Sequence, residues 1–286
     1  MRARRLLCTT AAVVLAWNST LWGQTKPRLA EWERGVALQA PGPPGMAVYF
    51  WFYEWNMFDA VSPGQHTQGT FHSVRTLDSA GAEAVLGLPG LRLLVRVVSG
   101  GADLRLQATN TTGRDWPAIA GIIPCLSPGR VQAATPTPAT ESFFHVPRNP
   151  EFADPDRKRT YFLARDGLAL LASRDIHFNG DLRAAVDRAS ARGPFVFSKK
   201  WPTSEVNAGA GLLVRESVDG RWVTGVGWED FLSVQGHNPW NCMHACVRVG
   251  PLAPGQTKTI RGKLYLFQGG RNECLARFRE DFPARR

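Results

Sequence analysis

The chain has 286 residues, 44% of them hydrophobic, with 34 Lys and Arg against 24 Asp and Glu for a formal net charge of +10. That length fits one large sandwich or two small domains and is ample for a core that needs no disulfide staples. The positive residues are scattered, clustering only at Arg157-Lys158-Arg159 and Lys199-Lys200, so the charge reads as solvated surface. This argues against a nucleic-acid binder, which concentrates charge on one patch, and leaves an acidic glycan open as a partner.

Arg2, Arg4 and Arg5 precede the mostly apolar run Leu6 to Trp17 and then the polar Asn18, Ser19 and Thr20, a secretory signal pattern. The apolar run is shorter than the roughly 20 residues a membrane-spanning helix needs. The expectation is a signal peptide over 1–23, a secreted or periplasmic location, no stable membrane insertion and one domain over 24–286. Loss of 1–23 removes three Arg and no acid, so +10 becomes +7.

Next comes Tyr49-Phe50-Trp51-Phe52-Tyr53-Glu54-Trp55-Asn56-Met57-Phe58, aromatic at both parities. Either both faces are buried between layers, the default, or one face offers rings such as Trp51 and Trp55 on which sugars stack. Glu54 amid these rings has its carboxyl pushed toward neutrality by desolvation, as an acid catalyst requires, unless an Arg partner cancels the effect. Leu91, Leu93, Val95 and Val97, then Leu104, Leu106 and Ala108, alternate as half-buried strands around Ser99-Gly100-Gly101. The Pro-rich stretch around 131–159 reads as a long loop, and Asp181 to Arg192 as a helix with a weak apolar face. Asp219-Gly220 joins Leu212–Val214 to Trp222–Val226 as a hairpin that ends at Trp228-Glu229-Asp230.

From His237 to Val249 the chain reads His-Asn-Pro-Trp-Asn-Cys-Met-His-Ala-Cys-Val-Arg-Val. Met243, Ala245, Val247 and Val249 form an apolar face, so alternation turns Cys242, His244, Cys246 and Arg248 toward solvent or a cleft. His237, in a turn before Asn238-Pro239, and Trp240 stand beside that row. Cys242, His244 and Cys246 carry the right atoms for zinc or copper but lack the tight CxxC knuckle, so disulfides or inert thiols are the reading and no metal or other cofactor is assigned. Positions 242 and 246 lie too far apart on a straight strand to bridge, which leaves Cys125 and Cys274 as the partners if disulfides form. Ile260, Leu264 and Leu266 mark a final strand. Asn272 then caps a short C-terminal helix carrying Leu275, Phe278 and Phe282. No Gly-x-Ser-x-Gly, phosphate loop or dinucleotide fingerprint is present.

Asp103-Leu104-Arg105-Leu106 leading to Thr109-Asn110-Thr111-Thr112 and Asp115-Trp116-Pro117, followed by Gly250-Pro251-Leu252-Ala253-Pro254-Gly255-Gln256, resembles exported bacterial β-supersandwich proteins of the galactose-mutarotase-like kind. The resemblance implies an all-β, large antiparallel sandwich with a concave sheet face that binds sugar and carries His, Arg and a carboxylate. The expected groove is lined by Trp51, Trp55, Trp228, Trp240 and Arg248. As an enzyme, the protein would use His237 or His244 as base and Glu54 or Glu229 as acid in glycan hydrolysis, lysis or epimerisation. The alternative is a non-catalytic structural or interaction module of the cell envelope.

Overall fold

A computed structural model describes residues 26–42, 45–56, 74–131, 146–189, 199, 201–236 and 241–283, with 55 and 56 by backbone alone. Residues 1–23, where the sequence reads as a signal peptide, together with His237, Trp240 and the side chain of Trp55, lie outside the described residues.

In chain order the strands are β1 (Arg28–Trp32), β2 (Gly35–Gln39), β3 (Met46–Asn56), β4 (Val74–Leu77), β5 (Glu83–Leu88), β6 (Leu91–Val98), β7 (Gly101–Thr109) and β8 (Gly121–Arg130). There follow β9 (Thr160–Ala164), β10 (Gly167–Leu170), β11 (His177–Phe178), helix α1 (Arg183–Arg188), β12 (Ala208–Glu216), β13 (Trp222–Trp228), β14 (Phe231–Gly236), β15 (Met243–Arg248), β16 (Thr257–Gln268) and helix α2 (Arg271–Asp281). They form a 7-stranded sheet, β1-β2-β3-β8-β15-β14-β11, and a 9-stranded sheet, β10-β9-β12-β13-β16-β7-β6-β5-β4. Every pairing between these strands is antiparallel. The protein is an all-β sandwich of two large antiparallel sheets with a short C-terminal helix.

Alternation and turn chemistry account for the hairpins. On β6, Leu91, Leu93 and Val95 are buried while Arg92 and Arg96 are exposed, the period-two pattern of a strand with one wet face. Gly100 (φ 75) and Gly220 (φ 70) occupy the left-handed region that their turns require and that a side chain resists. The main core fills the space between the sheets, with Phe50, Phe52, Leu93, Leu104, Leu213, Trp228, Met243, Ala245 and Val247 among its members. Two smaller clusters lie on the outer faces. One gathers Trp32, Tyr49, Trp51, Cys125, Val146 and Cys242 on the 7-stranded sheet, and the other seats Cys274 and Phe278 of α2 on the 9-stranded sheet.

Three expectations need correction. Asn272 does not cap α2: the cap position is Gly270, and the Arg271 amide donates to the Glu216 side chain of β12 at 2.9 Å, so a neighbouring strand does the capping. Of the helix expected over Asp181 to Arg192, the described residues hold a 3-10 turn at Gly180–Leu182 and α1 at Arg183–Arg188, which stops at the extended Ala189 with Val186 as its one buried residue; 190–192 lie outside the described residues. The even face of β15 does not look onto solvent or a cleft. Cys242, His244 and Cys246 are buried and only Arg248 is partly exposed: β15 is an inner strand of its sheet, the outer cluster takes in Cys242, and Cys246 packs in the main core.

Candidate functional site

The expected site residues divide into one pair that the fold joins and several that it separates. The joined pair is Glu54 and His244. Their partner strands, β3 and β15, flank β8, whose register sets Met243 opposite Leu126 and Trp51 opposite Cys125. His244 therefore stands level with Cys125, and Cys242 level with Ser127. Plain alternation from Trp51 would send Glu54 inward with Phe52. An irregularity between Trp51 and Trp55 breaks that alternation, and the Glu54 carboxylate meets the His244 ring, Nε2 to Oε2 at 2.8 Å.

Two thiols complete the cluster. One ligand atom from each of Cys125, Cys242 and His244 lies within 4.8 Å of the others, and all three residues are buried. The Ser127 hydroxyl sits between the sulfurs, 3.5 Å from Cys125 and 3.4 Å from Cys242. The other face of the His244 ring interacts with Cys242. None of the four described cysteines is in a disulfide. Cys274 lies under α2 on the other sheet, so Cys125 neighbours Cys242 without bridging to it, and Cys246 joins the main core instead of the cluster.

The electrostatics are those of a shared, dry charge network. Burial alone would strip the proton from His244, but the Glu54 carboxylate and Cys242 reverse this and hold its pKa up at about 10. Burial pushes the Cys242 thiol up, while Cys125 and His244 bring it down to about 6; Cys125 is raised by burial and by Cys242. Residue 241, just ahead of Cys242, is anchored from the opposite sheet. The buried Arg215 guanidinium of β12 donates to the Asn241 carbonyl at 3.2 Å, to its side-chain oxygen, and through Nε to Thr160 at 2.8 Å. Burial lowers Arg215 to about 10 against the support of Asp154. Asn241 itself sits at φ 62, which Asn tolerates better than most residues.

The other expected residues are elsewhere. Trp228 is 1% exposed, its ring filling the space over Gly262 in the main core. Trp51 packs in the outer cluster with the Arg34 guanidinium 4.7 Å above its ring. Glu229 binds Arg261, and Arg248 forks onto Asp230 at 2.6 and 3.1 Å with Lys258 as a third member. Sequence reasoning missed Cys125 as a member of the His244 cluster; only the placement of β8 between β3 and β15 shows it.

A second feature lies on the outer face of the 9-stranded sheet, where α2 stops covering it. A cleft of about 360 Å³ is lined by Leu94, Arg96, Asp103, Arg105, Arg261 and Lys263, with Asp281 and Phe282 along one wall. Register builds it: Arg105 of β7 lies between Leu94 of β6 and Arg261 of β16, and Asp103 lies between Arg96 and Lys263. Arg96 pairs with Glu83, Arg261 with Glu229, and Lys263 with Asp103 and Asp281. Arg105 has no ion pair among the described residues and faces Arg261 directly, a like-charge juxtaposition that costs stability in the absence of an anion.

No family model and no curated protein matches the chain. Among solved structures, it is similar to a galactose mutarotase related enzyme from Lactobacillus acidophilus, at 7% identity and TM-score 0.42, over 86% of this chain and 96% of that one. It is also similar to a galactose mutarotase-like protein from Lactobacillus casei (10% identity, TM-score 0.41, 85% of this chain and 97% of that one) and to a polysaccharide lyase (10%, 0.36, 88% and 34%). The galactose-mutarotase-like kind is the one that the strand and turn motifs of the sequence resemble, and at these values the likeness is too coarse to bear on any residue of this chain.

Proposed function

We propose that this is an exported, carbohydrate-engaging β-sandwich protein that binds an acidic polysaccharide along the basic cleft of the 9-stranded sheet. The observation that carries this reading is Arg105, exposed, without a carboxylate partner among the described residues and set opposite Arg261 across the ladder. Carboxylates or sulfates spaced along a glycan neutralise such a row, and Leu94 and Phe282 supply apolar surface for the sugar rings between the charges. Nucleic acid fits less well: the cleft has one ring, Phe282, already packed against Phe278 and beneath the Arg261 guanidinium, and offers no series of rings on which bases stack.

Binding rather than turnover is favoured because His244 is 2% and Glu54 8% exposed, so a sugar does not reach this acid–base pair of the described residues. The same burial supports a second reading, a structural module of the cell envelope. Affinity electrophoresis of the full chain through gels containing alginate, pectate or heparin, with dextran as the neutral control, separates the readings. Retardation by a polyanionic glycan that falls with salt and is lost in Arg105→Glu/Arg261→Glu supports the binder. Equal retardation by single-stranded DNA, or none by any polyanion, overturns it.

A further inference from the structure

The geometry points to a metal site formed by Cys125, Cys242 and His244 on the 7-stranded sheet, taking a soft, thiolate-seeking cation, Zn²⁺ or Cu⁺. Three observations carry it. Two sulfurs and one imidazole from strand β8 and the start of β15 converge within 4.8 Å. Metal–sulfur bonds of about 2.3 Å and metal–nitrogen bonds of about 2.0 Å place such donors about 3.5–4 Å apart, so side-chain adjustments within their wells close the site. His244 is buried, with Nε2 held by the Glu54 carboxylate and the ring also in contact with Cys242, so the other nitrogen is turned toward the thiols. That division of the ring, one nitrogen oriented by a carboxylate and the other left for a ligand bond, is how proteins fix a metal-binding histidine.

The donor set selects the class of ion. Two thiolates and an imidazole suit zinc and cuprous copper and disfavour magnesium or calcium, which demand oxygen. The Ser127 hydroxyl, 3.5 and 3.4 Å from the two sulfurs, is a further donor beside them. Cys246, four residues along the same strand, is excluded because it faces the main core, where the Cβ of a residue replacing Gly121 would touch its sulfur at 3.0 Å. The site is separate from the basic cleft, which lies on the other sheet, so either stands or falls alone.

The full chain, purified under reductant and stripped with chelator, is titrated with Co²⁺ and then challenged with Zn²⁺ and with Cu⁺. The expected result is a thiolate-to-cobalt charge-transfer absorption that saturates at one ion per chain and is displaced by the tighter of the two native candidates. Cys125→Ser, Cys242→Ser and His244→Gln lose that absorption, Cys246→Ser and Cys274→Ser keep it, and Glu54→Gln weakens binding about 10–100-fold. Because a core cysteine variant is at risk of misfolding, X-ray absorption on the loaded wild-type chain provides a reading that needs no variant: two sulfur scatterers and one or more nitrogens. No stoichiometric uptake, a coordination shell without two sulfurs, or uptake undiminished by folded Cys125→Ser or Cys242→Ser overturns the site.

Discussion

The outer faces of the two sheets carry opposite kinds of chemistry. On the 7-stranded sheet, Glu54, His244, Cys125 and Cys242 share a dry cluster beneath Trp51 and Tyr49, where each charge is defined by its neighbours. On the 9-stranded sheet, Arg96, Arg105, Arg261 and Lys263 line an open cleft beside the end of α2. The difference shows that site-like composition and accessibility are independent properties. The groups that most resemble a catalytic set, Glu54 and His244, are buried, and the open face is built from residues that look individually unremarkable in the sequence.

Substitutions on each side break this comparison to different degrees. The largest effect belongs to Arg215→Ala, which removes a buried guanidinium and with it the hydrogen bonds to the Asn241 oxygens and the Thr160 hydroxyl; a loss of about 3 kcal/mol or more is expected in urea unfolding. His244→Ala comes next, since it removes the imidazole bonded to the buried Glu54 carboxylate at 2.8 Å, at a cost of about 1–3 kcal/mol by the same measurement. An unchanged midpoint for His244→Ala would mean the cluster is wet. Acid sharpens the same point. Burial pushes the Asp154 carboxyl up, but hydrogen bonds from Lys158, Thr160 and Arg159 hold it below its ordinary 3.8, so its contribution is complete above pH 3.8 and is lost as pH falls through the lower folded value. Asp154→Asn therefore flattens the acid limb of a stability-versus-pH curve. The smallest structural effect is that of Arg105→Glu, within about 0.5 kcal/mol of wild type in thermal unfolding, while retention by polyanionic glycan falls. A large destabilisation there would show that Arg105 is structural after all.

Much of the fold was legible because local rules and tertiary demands agree. The alternation of Leu91, Leu93 and Val95, the turns at Gly100 and Gly220, and the apolar residues Met243, Ala245, Val247 and Val249 all stand where period two and turn chemistry put them. The site was legible only in pieces. His244 and Glu54 are recognisable as a base and an acid, yet their meeting depends on strand order, which places β8 between β3 and β15, and on a break in alternation within β3. The outward row on β15 misled because alternation reports which side a residue takes, and whether that side is covered depends on what neighbouring strands bring to it. Trp228 misled for a related reason: its ring occupies the room left by the absent side chain of Gly262, a complementarity between two strands that neither segment announces alone.

Arg215 belongs to one layer and holds on to the other. Sliding one sheet across its neighbour must first draw that guanidinium away from the Asn241 oxygens, so the sandwich resists shear at the margin where Cys242 begins its strand, and layer slippage has to start from the far side.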